Sequence, residues 1–206
     1  MELLAAHLPE IAVAAGLAWA SGLRLYFVLL AVGLAGRYGG VDLPTHLEVL
    51  ESPLVLGAAG FMVLTEFFAD KIPWLDSVWD AIHTFIRIPA GAALAAAVFG
   101  DSGEGVALAA ALLGGTLAAS SHFTKAGSRA LINTSPEPVS NVAASFTEEA
   151  LVAAGLWTAF HFPLLFVALL IAFLAIAGFA AVRLVAALRA AARRWRGEPP
   201  PLTGRP

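Results

Sequence analysis

Glu66 and Asp70 stand four residues apart, and Asp76, Asp80 and His83 follow at i, i+4 and i+7, so on helices each set lies along one face. A face of carboxylates with one imidazole suits a proton, Na⁺ or a hard divalent ion. Lys125 and Arg129, also four apart, place two cations on another face, where they could attract an anion or pair with those acids. Ser21 and Arg24 interrupt one apolar run, and Ser120 and His122 interrupt another. A blander alternative is that the acids tie a polar loop to Lys71 and Lys125 as structural ion pairs. The spacing alone leaves both open.

The elements that must hold these residues are strongly apolar. The chain has 206 residues, 59% hydrophobic and 13% charged, with a mean hydropathy of +0.81, against about 25% charged in soluble domains. Apolar runs separated by short polar islands are the pattern of membrane-spanning helices. The absence of cysteine excludes disulfides and thiolate metal sites. The opening MELLAAHLPE lacks the positive region of a cleavable signal, so the first apolar run is expected to remain as a helix in a bacterial-type inner membrane.

The expected spans follow in order. Ile11 to Gly36 is the first, with Arg24 near its middle. A central arginine costs about 2.5 to 3.5 kcal/mol on insertion, so it should face protein or water, with Gly22 allowing close approach or local unwinding. Ser52-Pro53 reads as an N-cap followed by a first-turn proline, opening a second span to about Phe68. Glu66 to Pro89 is read as a polar island too charged to cross a bilayer, so the third span is placed from about Thr84 to Phe99. The fourth starts at Val106 and is expected to turn polar at Ser120-Ser121-His122; NTSPEPVSN then forms a turn. Thr147-Glu148-Glu149 reads as the cap of a fifth helix. His161 and Pro163 mark a break before the last run, which ends in Arg183, Arg189, Arg193, Arg194 and Arg196 with Trp195 as an interfacial anchor. The tail GEPPPLTGRP reads as disordered.

Ala58-Ala59-Gly60 reappears as Ala153-Ala154-Gly155, and Ala20-Ser21 as Ala119-Ser120. These echoes suggest an all-α membrane bundle of about six spans built from two three-helix repeats, residues 1–104 and 105–196, with 197–206 as tail. An odd number of spans per repeat makes the second enter the membrane inverted, about a pseudo-two-fold axis in the membrane plane. With both termini cytoplasmic, Lys71, Lys125, Arg129 and the C-terminal arginines share the inner side, and Arg37 is the exception.

At ASGLRLY, EFFADKIPWLDSVWD, IRIPAG and KAGSRALINTSPEPVSN, the chain resembles a family known as domain of unknown function 4126. The resemblance covers nearly the whole sequence. It implies a small integral membrane protein of bacteria and carries no activity or site residue with it.

Three classes of function are open on the residues. A transporter or channel would use Ser21, Arg24, Ser120 and His122 along a pathway, and Glu66, Asp70, Asp76, Asp80 and His83 as a cation or proton site at one mouth. A lipid-handling protein or intramembrane enzyme would grip a phosphate headgroup with Arg87, Lys125 and Arg129. No nucleophile motif, HExxH pattern or phosphate loop is present, which weighs against an enzyme. A scaffold would use small residues such as Gly33, Gly36, Gly91, Gly114 and Gly115 for close helix packing or a homodimer. The expected partners are the lipid bilayer and a small ion or solute, with no nucleic acid and no cofactor.

Overall fold

A computed structural model describes residues 2–134 and 138–196; the tail 197–206 and positions 135–137 of the predicted turn lie outside the described residues. Six α-helices follow one another: α1 Glu2–Gly39, α2 Pro53–Ala69, α3 Pro73–Val98, α4 Glu104–Ile132, α5 Pro138–His161 and α6 Pro163–Trp195. Among the described residues there is no β-strand. A short 3-10 helix, Thr45–Glu51, precedes α2 and meets it at a bend of 68°. Four helices are long and apolar enough to cross a membrane, and the bent pair makes a fifth if counted as one broken span. The chain therefore has the build of a multi-pass membrane protein.

Local chemistry explains most boundaries. Gly40 ends α1 with a φ of +68°, a conformation glycine adopts without steric cost. Pro53, Pro73, Pro138 and Pro163 each open a helix, where the missing N–H is no loss. Ser52 does sit at the N-cap of α2, but its hydroxyl makes no capping bond.

Three sequence expectations need correction. The island from Glu66 to Pro89 is not too polar to lie in a candidate span: α2 carries its first part, and α3 starts at Pro73 rather than near Thr84, so that Trp74–Val98 is itself such a candidate. Its charges are tolerated because they turn inward, as Asp76, Asp80, His83 and Arg87 are all buried. Ser120 to His122 do not interrupt α4, which runs unbroken from Glu104 to Ile132. The hydroxyls of Thr116, Ser120 and Thr124 bond carbonyls one turn back, so the helix absorbs them. Thr147-Glu148-Glu149 is no cap, because α5 begins at Pro138 and Thr147 bonds the Ala143 carbonyl inside it.

Where the sequence places Arg24 at a weak point, α1 is broken. Arg24 has φ −146° and ψ 71°, far from helical values. Neighbouring carbonyls are taken up by α4: Ser121 Oγ donates to Trp19 O at 2.7 Å, and Lys125 Nζ to Leu23 O at 3.2 Å. Re-satisfying carbonyls beside a break is what apolar surroundings demand.

The chain divides into two compact units, 1–168 and 169–206. The first holds α1 to α5 and the start of α6, with α1 packed on α2, α3, α4 and α5. Small residues let α1, α3 and α4 approach closely: a methyl on Gly114 would come within 2.9 Å of the Gly91 carbonyl, and Ala14, Ala18 and Ala95 form a buried cluster. The described part of the second unit is essentially the remainder of α6, with Leu169, Ile171, Ile176 and Phe179 exposed along it before the arginines begin.

Candidate functional site

Eight ionisable side chains from five helices meet at one place in the first unit. Arg24 comes from the break in α1, Glu66 from the last turn of α2 and Asp70 from its C-cap, Asp80 and Arg87 from α3, Lys125 and Arg129 from α4, and Glu148 from α5. Asp80 and Lys125 each lie seven residues inside their helix ends, which is about 10 Å along a helix axis. Seven of the eight are buried, and the Glu148 side chain is 12% exposed.

Every guanidinium faces carboxylates. Arg24 Nη2 lies 2.6 Å from Asp70 Oδ2 and 3.1 Å from Glu148 Oε2. Arg87 donates to Glu66 Oε1, and to Asp80 Oδ1 at 2.8 Å. Arg129 grips Glu148 through two parallel bonds, Nε to Oε1 at 2.8 Å and Nη2 to Oε2 at 3.1 Å, the fork geometry that makes arginine suited to carboxylates. It also donates to Ser145 Oγ at 3.0 Å and to the Asn141 carbonyl at 3.2 Å.

Lys125 is arranged differently. Its ammonium lies 3.4 Å from Glu148, 3.7 Å from Glu66, 3.7 Å from Asp80 and 3.9 Å from Asp70. All four distances exceed the roughly 2.7 to 2.9 Å of a charge-assisted hydrogen bond. The lysine therefore sits central to four acids without being bonded closely to any.

The two buried histidines extend the polar region. His83 Nδ1 lies 2.8 Å from the Trp79 carbonyl, which can only accept, so Nε2 accepts from the Tyr26 hydroxyl at 3.0 Å. Its ring stacks on Trp79. His122 approaches Thr84 Oγ1 at 2.7 Å and Arg87 at 3.4 Å. Asp80, Thr84, His122 and Arg129 line a cavity of about 210 Å³ between α3 and α4 that reaches the network from its side.

Asp76 stands apart. It is fully buried and accepts from Asn133 Nδ2 at 2.8 Å, and among the described residues no cation lies within ion-pair distance of it. Asn133→Ala is accordingly expected to destabilise the fold by about 1–3 kcal/mol, the penalty of stranding a buried acceptor. Asn133→Gln should recover part of the loss, and thermal unfolding in detergent measures both.

Most residues singled out from the sequence converge here; besides Asp76, Ser21 and Ser120 do not. Ser21 is buried but bonds the Ala18 carbonyl at 2.8 Å, at the crossing of α1 with α3 and α4. Ser120 bonds Thr116 on an exposed face, and Ser121 takes the inward position instead. Lys71 does not pair with the acids: it donates to the Phe67 carbonyl and lies over the Phe67 ring, and burial lowers its pKa. Spacing would have found what the sequence reading left out of the cation site. Arg87 continues the stripe Asp76, Asp80, His83 at the next turn, and Asn141, Ser145 and Glu148 form a matching stripe on α5. Arg87, Lys125 and Arg129 all face protein carboxylates. Among the described residues, no three His, Asp or Glu side chains are placed to hold a metal ion.

No curated protein and no solved structure matches the chain. A family model does match residues 11–183, taking in the α1 break, the acidic and basic stripes and the start of the last helix. The protein thus belongs to the family described as domain of unknown function (DUF4126).

Proposed function

We propose that this protein is a small membrane transporter or channel passing a small ion or solute through the polar site at the α1 break. The observation carrying this is the buried network itself. Burying a charge costs several kcal/mol even when it is paired, and well-packed apolar residues in place of an ion pair are often neutral or stabilising. Eight such groups gathered among apolar helices are therefore poorly explained by stability alone, and intramembrane charge of this kind marks ion and substrate pathways. The groove between α3 and α4, which ends on Asp80 and His122, supplies access.

The proposed architecture is six spans in two inverted halves, 1–104 and 105–196, in the inner membrane with both termini cytoplasmic. Support comes from α1 and α4, which cross at Gly22 and Ser121, next to the repeated Ala-Ser pairs. α5 falls short on composition because it carries Asn141, Ser145 and Glu148, yet these face Arg129 while Leu151 and Trp157 point outward. A helix with its polar groups buried in protein can cross lipid.

Reconstituted into proteoliposomes, the wild type should move a small ion or solute. Asp80→Asn and Arg24→Ala should each lower that flux by about tenfold or more, a change of about 1.4 kcal/mol in the barrier. Flux unchanged in both folded variants would remove these residues from the pathway.

A further inference from the structure

The charge count around Lys125 points to the kind of substrate, resting on the transport reading above. Glu66, Asp70, Asp80 and Glu148 contribute four negative charges, and Arg24, Arg87 and Arg129 neutralise three through contacts of 3.1 Å or less. One negative charge remains, shared over four carboxylates, and the Lys125 ammonium sits within 3.4 to 3.9 Å of each of them. The cage thus has room and charge for one monovalent cation, and the chain's own lysine occupies it.

Two further observations mark this as a binding arrangement rather than a filled salt bridge. Among the buried carboxylate oxygens, Asp70 Oδ1 and Asp80 Oδ2 have no hydrogen-bond partner among the described residues, while Asp70 Oδ2 is held by Arg24 at 2.6 Å. Buried carboxylate oxygens in this state are unusual and call for an occupant. Lys125 itself is held by a long, flexible stem, with a single hydrogen bond from its ammonium, to the Leu23 carbonyl at 3.2 Å. An ammonium with four near-equivalent partners has little to lose by moving toward one of them.

We infer that Lys125 is a tethered stand-in for the substrate, and that the substrate is a small ammonium-type cation which enters along the α3–α4 groove past Asp80 and displaces the lysine from the cage. The present occupant favours ammonium over a bare metal ion, being itself an alkylammonium group. The acids lie 3.4 to 3.9 Å from the central nitrogen and do not converge to metal-ligand geometry, whereas hard cations need oxygens at about 2.0 to 2.6 Å.

Lys125→Ala would empty the cage and leave its charge uncompensated. In detergent, methylammonium chloride should raise the unfolding midpoint of this variant by about 5 °C or more at concentrations roughly 100-fold above its dissociation constant. Sodium chloride should do less, and choline chloride, too bulky for the space of one side chain, nothing at the same ionic strength. Wild type should respond to methylammonium in the same order of preference but more weakly, because the cation must first displace Lys125. Lys125→Ala/Glu148→Gln restores neutrality, so it should purify intact even if the single variant does not, and should ignore methylammonium. The inference is overturned if methylammonium leaves Lys125→Ala unmoved, if sodium acts equally, if the double variant responds as strongly, or if both variants fail to fold. Because this readout needs no flux, methylammonium binding by Lys125→Ala alongside a wild type that transports nothing would keep the cation cage and remove the transport reading.

Discussion

Replacing Arg87 by methionine is expected to cost about 3–5 kcal/mol, the cost of breaking a buried pair by removing one partner. Arg87 is fully buried and is the shared partner of Glu66 and Asp80. Its loss would leave both carboxylates facing Lys125 alone, at 3.7 Å each. For a chain of this size the unfolding midpoint should fall by on the order of 10 °C. The origin of the loss is checkable: adding Glu66→Gln to Arg87→Met leaves three cations against three acids and should recover much of the stability. A double variant as unstable as the single one would show that Arg87 matters through packing, not charge.

The second large effect is expected at Gly22. A side chain there would meet Ser121 Oγ and the Ala118 carbonyl, and the latter is backbone that cannot swing aside. Gly22→Leu must therefore push α1 away from α4 at the level where Ser121 bonds the Trp19 carbonyl and Lys125 bonds the Leu23 carbonyl. Overpacking of this kind costs typically about 1–3 kcal/mol, and occasionally more. Here loss of the two interhelical bonds adds to it, so the variant should also lose the flux proposed for the wild type. Gly127, on the same helix α4, is the control. Nothing lies within 4 Å of a methyl built on it, so Gly127→Ala should be neutral or stabilising by up to about 1 kcal/mol. Thermal unfolding of the pair separates a crossing that needs glycine from a general sensitivity of glycine positions.

What could be read from the sequence was periodic or local. The stripe Asp76, Asp80, His83 and the pair Lys125, Arg129 declare a shared helical face through spacing, and all five are buried on inward faces. The weak point at Arg24 was legible because a mid-span arginine is costly unless protein or water meets it, with Gly22 nearby to allow close approach or local unwinding, and the helix is broken at Arg24. Misreadings arose where a local pattern fitted two environments. Thr147-Glu148-Glu149 matches a helix start, but the partner that decides the role of Glu148 is Arg129, on another helix. Likewise the density of charge from Glu66 to Pro89 reads as too polar for a span unless the cations and acids of α1, α4 and α5 are counted with it. The cage around Lys125 was invisible for the same reason. Its four acids come from α2, α3 and α5, and no spacing along one chain encodes their meeting.

The break in α1 has a bearing on biosynthesis. Arg24 emerges from the ribosome well before Asp70 and long before Glu148, its two acidic partners. Until the fifth helix arrives, the four cations of the cluster outnumber Glu66, Asp70 and Asp80, so a nascent chain halted there carries an unmatched positive charge at bilayer depth. The insertion machinery must then keep the first helix beside water or protein until the fifth one closes the circuit, and the last acid to be made serves as the latch of the assembled bundle.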